Sequence, residues 1–190
     1  VAGSYDNNVY FFGKDSSTTL WTYGTGGQVL SVAISADGDY IAVGTDSDKV
    51  YLFDKDNSTP LWSYETGGNV MVDISADGKY IVAGSGYGGY TVYLFDKDSS
   101  TPLWSYETDD AINAVSISPD ANYIAAGGED GILYFFTKDD STPLWSYSTG
   151  NVYSVVISAD GEYIVAGSSN KVYLFDKDSS TPLRSYNIGG

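Results

Sequence analysis

The sequence contains no cysteine and no histidine, and these absences exclude several kinds of chemistry. Without cysteine there is no disulfide, no thiolate metal site and no thiol nucleophile. Without histidine the chain lacks the commonest general base and the commonest ligand of transition metals. A single arginine, Arg184, leaves few cationic partners for a catalytic carboxylate. We therefore expect no enzyme activity.

Positive charge is also scarce. Nine Lys or Arg residues stand against 25 Asp or Glu residues, which gives a formal net charge of −16. Such a chain repels nucleic-acid phosphates and anionic lipid headgroups, and no apolar run is long enough to span a bilayer. We expect neither nucleic-acid binding nor membrane insertion. The acidity fits a soluble or cell-surface protein, and an extracellular or surface location is favoured over the cytoplasm.

The chain repeats itself about every 41 residues. Trp21, Trp62, Trp104 and Trp145 mark one position, with spacings of 41, 42 and 41 residues, and Arg184 takes the same position in the last copy. Each copy holds four short apolar runs separated by Gly, Asp, Ser or Pro, without a helical period. A period of this length, built from short strands, predicts an all-β fold, the β-propeller, in which four-stranded antiparallel sheets called blades surround an axis.

The strand count predicts how the blades are arranged. In the copy that starts at Val70, we expect strands over residues 70–75, 79–84, 90–95 and 103–107. The chain opens with the second, third and fourth strands of a blade, so 19 strands form about five blades with one innermost strand missing. The predicted single domain, 1–190, comprises a partial blade and four full blades: 1–28, 29–69, 70–111, 112–151 and 152–190.

Two arrangements of these blades are possible. We expect a closed five-bladed ring; the alternative is an arc, completed by more of a parent chain or by another subunit. We also expect each Trp to wedge between neighbouring blades, where a large ring buries the most area. Arg184 breaks that series, which suggests that the last blade meets solvent at this position or lacks a normal neighbour.

Two stretches of the repeat are similar to known propeller families. The segment SVAISADGDYIAVGTDSDKVYLFD (31–54) resembles a WD40 repeat, and VYLFDKDNSTPLWSYETGG (50–68) resembles the tryptophan-docking repeat of PQQ-like, quinoprotein-type propellers. The resemblance implies that an Asp, a Thr and a later Trp tie each blade to the next; Asp54, Thr59 and Trp62 match, as do Asp96, Thr101 and Trp104. Quinoprotein dehydrogenases also carry a cysteine pair and long insertions, which this chain lacks. We expect no PQQ and no other organic cofactor.

An Asp-Lys-Asp loop follows the third strand of three blades. Its carboxylates offer the hard oxygen ligands that Ca²⁺ prefers: Asp54, Asp56, Asp96, Asp98, Asp176 and Asp178. Calcium is therefore a possible ligand. The alternative interpretation is structural, because Asp in a turn commonly accepts hydrogen bonds from its own backbone. Asp73, on an otherwise apolar first strand, leaves a similar choice between a polar contact in the central channel and a tolerated residue.

The copies differ most in two sets of loops. These are the loops between the second and third strands and the connections between blades, which share one face in a propeller. Binding residues commonly lie on variable loops over a rigid scaffold, so this face is the predicted partner-binding surface. Its candidate residues are Asp46, Asp48, Tyr87, Tyr90, Asp109, Asp110, Glu129 and Asp130.

The sequence thus predicts a non-enzymatic scaffold or protein-binding module that uses this variable, acidic face. The alternative is a self-assembling structural or surface protein that shares blades between subunits. A strictly monomeric protein would exclude that alternative.

Overall fold

A computed structural model describes residues 1–189 of the chain, which form 19 strands in five antiparallel sheets. Each sheet is a blade, and the strands of a blade follow one another in chain order. Blade 1 contains β1 (Ala2–Gly3), β2 (Asn8–Phe12) and β3 (Thr19–Gly24). Blade 2 contains β4 (Val29–Ile34), β5 (Tyr40–Thr45), β6 (Lys49–Asp54) and β7 (Trp62–Glu65). Blade 3 contains β8 (Val70–Ile74), β9 (Tyr80–Ser85), β10 (Thr91–Asp96) and β11 (Trp104–Glu107).

The last two blades repeat this plan. Blade 4 contains β12 (Ile112–Ile117), β13 (Tyr123–Gly128), β14 (Ile132–Thr137) and β15 (Trp145–Ser148). Blade 5 contains β16 (Val152–Ile157), β17 (Tyr163–Ser168), β18 (Lys171–Asp176) and β19 (Arg184–Asn187). The predicted propeller architecture, with 19 strands and one innermost strand missing from blade 1, is confirmed. Predicted strand ends shift by about one residue; β10, for example, begins after Tyr90 because Tyr90 takes a left-handed turn conformation with φ 47°.

The first hairpin of each full blade is held by one recurring turn. In blade 2 the Asp37 carboxylate accepts a hydrogen bond from the Ser35 hydroxyl at 2.6 Å, and the same hydroxyl accepts from the Tyr40 amide at 3.0 Å. Gly38 closes the turn at φ 78°, which a glycine adopts at little cost. Blade 4 has Ala121 at the equivalent place, with φ 62°, so this one turn carries a side chain in the left-handed region.

Four apolar clusters form the core, and each lies between two consecutive blades. The tryptophans occupy these junctions as expected. Trp145 of blade 4 lies between Phe135 of its own blade and Phe175 of blade 5, with ring centroids 4.8 and 5.3 Å away. Its indole N–H donates to the Lys177 carbonyl of blade 5 at 2.8 Å. The other three tryptophans donate to the next blade in the same way at 2.7–2.8 Å.

Each blade therefore has a forward face, directed toward the next blade, and a backward face, directed toward the preceding blade. Two of these faces, the forward face of blade 5 and the backward face of blade 1, have no blade over them. On the forward face of blade 5, Val165 is 37% exposed, whereas the equivalent Val82 of blade 3 is fully buried. On the backward face of blade 1, Phe12 is 36% exposed, whereas the equivalent Phe53 is fully buried.

The expected closed ring is therefore wrong. A ring of five blades needs five inter-blade cores, and residues 1–189 form four. The blades make an open arc, which was the alternative arrangement. At the open end of the arc the Arg184 side chain is exposed and donates only to the neighbouring Leu183 carbonyl at 3.2 Å, where every other copy docks a tryptophan onto a following blade.

Candidate binding face

The two sets of variable loops lie against each other, and together they form one surface that we call the variable face. In blade 2 the Gln28 amide of the incoming connection donates to the Asp46 carboxylate at 2.6 Å. The Thr66 amide of the outgoing connection donates to the Asp48 carbonyl at 2.8 Å. Equivalent bonds join Thr108 to Tyr90 and Thr149 to Gly131. The backbone of each loop is thus tied to the connection that leaves its blade.

A threonine that sequence comparison overlooked organises these connections. Its hydroxyl donates to a carbonyl one or two residues further on in all four connections, at 2.6–2.9 Å. The four copies are Thr25, Thr66, Thr108 and Thr149. The signal was present in the sequence, because this threonine is unchanged among otherwise variable loop residues. It fixes the loop positions while their remaining side chains vary.

The longest loop of the variable face, 86–90, belongs to blade 3 and presents an exposed tyrosine. The Tyr87 hydroxyl donates to the Glu129 carboxylate of blade 4 at 2.6 Å, and the Tyr87 side chain is 60% exposed. This hydrogen bond crosses the junction between blades 3 and 4. Because the bond stabilises the protonated hydroxyl, Glu129 raises the pKa of Tyr87, and the nearby negative charge of Asp110 acts in the same direction.

The loop that carries Tyr87 is held close to the connection beneath it. A Cβ atom placed on Gly68 would lie 2.5 Å from the Tyr87 carbonyl oxygen and 2.7 Å from that of Gly86. Gly88 has φ +102°, and Tyr90 also has a positive φ, which is uncommon for a bulky side chain. Residues in such conformations persist only where their surroundings fix them. The loop is therefore packed in one position.

The structure brings six of the eight candidate binding residues to the junction between blades 3 and 4. Tyr87, Tyr90, Asp110 and Glu129 leave part of their side chains accessible. Asp130 is engaged within its own blade: its carboxylate accepts from the Ile132 amide at 2.9 Å and from the Tyr134 hydroxyl at 2.8 Å.

Burial, together with the Asp130 hydrogen bond and the nearby charge of Asp109, raises the pKa of Tyr134. The remaining two candidates, Asp46 and Asp48, lie on blade 2. Their exposed carboxylates extend the acidic surface away from that junction.

The three Asp-Lys-Asp loops form turns of one type. The first carboxylate of each accepts a hydrogen bond from the amide two residues on, at 2.8–2.9 Å; the acceptors are Asp54, Asp96 and Asp176. The second carboxylate meets the intervening lysine in two loops, Lys97 with Asp98 and Lys177 with Asp178. Within residues 1–189, no three acidic side chains are arranged so that they could hold a metal ion. This donor set does not fit the six to eight oxygen ligands of Ca²⁺, and the calcium site stays a prediction.

Asp73 joins two innermost strands. One carboxylate oxygen accepts from the Ile117 amide of blade 4 at 2.9 Å, and the other accepts from the adjacent Ile74 amide at 2.9 Å. In the next junction the Ser116 hydroxyl accepts from the Ile157 amide at 3.2 Å. Asp73 and Ser116 occupy the same position of the first strand, and each accepts a hydrogen bond from the first strand of the next blade. Burial raises the pKa of Asp73 although these hydrogen bonds oppose the shift.

None of the described residues forms a helix long and apolar enough to cross a membrane. Comparison with protein families gives two matches. The model described as outer membrane protein assembly factor BamB matches residues 5–151. The chain belongs to this family. A second model, described as WD domain, G-beta repeat, matches residues 141–176. No curated protein matches the chain.

The family matches agree with the resemblance seen in the sequence. Both repeat types build propellers that generally act as protein-interaction scaffolds, and these families are typically non-enzymatic. The tryptophan-docking bonds between blades are the physical form of that repeat in this chain. The family thus accounts for the repeated framework of the chain.

Proposed function

We propose that the protein is a non-enzymatic scaffold that binds a protein partner through its variable, acidic face, centred on the junction between blades 3 and 4. The observation that carries this proposal is the exposed Tyr87 side chain, which is tied to Glu129 across the junction at 2.6 Å. A large aromatic surface held in one position loses little conformational entropy on binding.

The chemistry of this junction favours a cationic partner. Tyr87 lies near Tyr90 and near the carboxylates of Asp110 and Glu129. An arginine or lysine of the partner can stack on an aromatic ring and donate to a carboxylate at the same time. The net charge of −16 also attracts a basic protein over longer distances.

A pair of peptides tests this proposal. A fluorescent peptide of alternating arginine and glycine is expected to bind, and its glutamate counterpart is not. Fluorescence anisotropy measures both. Glu129→Gln removes one carboxylate and weakens the tie to Tyr87, so we expect the arginine peptide to bind at least about fivefold more weakly. Asp160→Asn is the matched control, because it removes the same charge from the hairpin turn of blade 5. Equal weakening by both variants would show charge attraction without a site and would contradict the proposal.

A second candidate function is self-assembly with blades shared between subunits. The observation that favours it is the pair of uncovered faces at the ends of the arc, where apolar side chains buried in the other blades meet solvent. Exposed apolar faces with strand edges promote association. The two functions are compatible, because the variable face lies on loops and the uncovered faces lie on the strands of the terminal blades.

A further inference from the structure

We propose that the forward face of blade 5 binds the backward face of blade 1 in a second copy of this chain, in the geometry of the internal junctions. This inference rests on the second proposed function and specifies its contact. It predicts a head-to-tail association, in which each copy contributes one face of each kind. Such a contact either closes a ring of several copies or extends into a filament.

The first argument is that the second and third strands give blades 3 and 5 the same apolar side chains on their forward faces. Strands β9 and β17 have the same sequence, YIVAGS, and the third strands differ only at their first residue. In blade 3 this face is covered: Val82, Val92 and Leu94 are fully buried against blade 4. The equivalent Val165, Val172 and Leu174 of blade 5 retain solvent exposure. The apolar surface of these two strands is therefore available in blade 5 without its partner.

The second argument is that blade 1 carries the matching half of a junction. In all four full blades, the backward face presents a tyrosine and a phenylalanine from the third strand, as Tyr51 and Phe53 do in blade 2. Blade 1 presents Tyr10 and Phe12 in the same register, with no preceding blade over them. The tyrosines of blades 2, 3 and 5 donate to the carbonyl of a threonine that follows the preceding blade, whereas Tyr134 of blade 4 donates to Asp130 of its own loop. Tyr10 donates to Asp6 of its own loop, as Tyr134 does to Asp130, so the hydroxyl already has an acceptor in the free chain.

The third argument is charge at the docking position. Arg184, the only arginine of the chain, occupies the place from which tryptophan docks in the other blades. In the proposed contact its guanidinium reaches the Lys14 carbonyl of the second copy and the neighbouring Asp15 carboxylate. Arg184 donates in a planar fork that suits such acceptors. Lys14 and Asp15 form only an exposed pair at 3.6 Å, so they are accessible.

The contact is expected to be weaker than an internal junction. Blade 1 lacks its innermost strand, so the first strand of the neighbouring blade has less to pack against; Ile34 of blade 2 is exposed for this reason, while its counterpart Ile74 is buried. The two copies also repel each other, since each has a charge of −16. Salt screens that repulsion. We therefore expect association that strengthens with ionic strength and with protein concentration.

Two single variants, alone and mixed, test the direction of the contact. Phe12→Asp blocks the backward face of blade 1, and Val165→Asp blocks the forward face of blade 5. Mass is measured by size exclusion with light scattering at several concentrations in about 0.5 M salt. Wild-type protein is expected to form dimers or larger species. Each variant alone is expected to be monomeric, while their equimolar mixture forms a heterodimer through the two unblocked faces. Leu103→Asp, at an exposed leucine on neither face, is the matched control and is expected to assemble as wild type does.

The other outcomes overturn the inference in different ways. If wild-type protein stays monomeric at every concentration, the proposed self-assembly is wrong, and so is the proposed contact. Assembly that survives in one of the two variants shows that like faces pair, so the head-to-tail contact is wrong while self-assembly stands. A mixture that stays monomeric when wild-type protein assembles also contradicts the contact.

A gain-of-function variant guards against misfolding of the aspartate variants. Arg184→Trp restores the residue that docks at the four internal junctions, with Phe12 of the second copy as its stacking partner. We expect the dissociation constant of the assembly to fall about tenfold, because a buried indole adds apolar area and a hydrogen bond to the Lys14 carbonyl. An unchanged or higher constant would show that this position does not meet blade 1 of another copy.

Discussion

Blades 4 and 5 have nearly the same strand pattern, yet they behave differently because one has a following blade and the other does not. Trp145 of blade 4 is packed between two phenylalanines and hydrogen-bonded to blade 5. Arg184 of blade 5 stands exposed at the same position, and all four residues of its strand are exposed. The comparison shows that each face of a blade is buried only where a neighbouring blade covers it.

The difference extends to the glycines of the second strands. A Cβ atom placed on Gly127 of blade 4 would lie 2.8 Å from the Cβ of Val152 in blade 5. At Gly167 of blade 5 the nearest atoms belong to Ser154 of the same blade, at 3.9 Å. The same residue type therefore meets close packing in one blade and open space in the next. Substitutions at such pairs measure the contribution of the neighbouring blade.

The largest difference is expected at the docking position. Trp104→Ala removes an indole from the junction between blades 3 and 4, together with its hydrogen bond to the Lys138 carbonyl at 2.8 Å. We expect the free energy of unfolding to fall by about 3 kcal/mol. Arg184→Ala is expected to change it by less than about 0.5 kcal/mol in dilute solution. Urea unfolding followed by circular dichroism measures both, and comparable losses would mean that blade 5 is covered as blade 4 is.

A smaller difference is expected at the glycine pair. Gly127→Ala forces a methyl group against Val152, so we expect a loss of about 2 kcal/mol from overpacking. Gly167→Ala has room for the methyl group and restricts the unfolded chain, so we expect no loss and a gain of up to about 1 kcal/mol. Thermal unfolding of the two variants beside wild type gives the sign of each change. If Gly167→Ala lowered the stability as much as Gly127→Ala does, the forward face of blade 5 would have to be covered by another part of the protein.

The fold could be predicted from the sequence because its signals are local and repeated. The spacing of the tryptophans gave the blades, and Asp-Gly turns gave the hairpins. Ring closure could not be predicted, because it depends on the curvature that accumulates over all junctions rather than on any one repeat. Arg184 was the one residue that indicated an open end.

The candidate site was predicted less completely. Variation between copies identified the loops, and the structure adds the hydrogen bond between Tyr87 and Glu129, residues 42 positions apart. Sequence spacing does not give that pairing, because it depends on the path of the glycine-rich loop. The structural threonines, such as Thr66 and Thr108, were not predicted because they are the same in every copy. A search for residues that vary between copies does not identify constant residues.

The smallest difference is expected in the dependence of stability on pH. Burial raises the pKa of Asp73, which lies on the covered forward face of blade 3, whereas the equivalent Val156 of blade 5 is 53% exposed. An acid whose pKa is higher in the folded state binds its proton more tightly there, so it favours folding at low pH and loses that contribution as the pH rises through the folded pKa. Asp73→Asn keeps an oxygen acceptor for the Ile117 amide and removes the charge.

The free energy of unfolding of Asp73→Asn should therefore increase relative to that of wild type as the pH rises from about 3 to about 7. The increase should be roughly 1 kcal/mol at most. Val156→Asp and Val156→Asn place the same two side chains on the uncovered face of blade 5. In dilute solution, the difference in stability between these two variants should change little with pH. Urea unfolding at a series of pH values measures both differences. If Asp73→Asn instead loses stability relative to wild type as the pH rises, the two amide hydrogen bonds to Asp73 outweigh its burial, and the covered face stabilises the charge rather than opposing it.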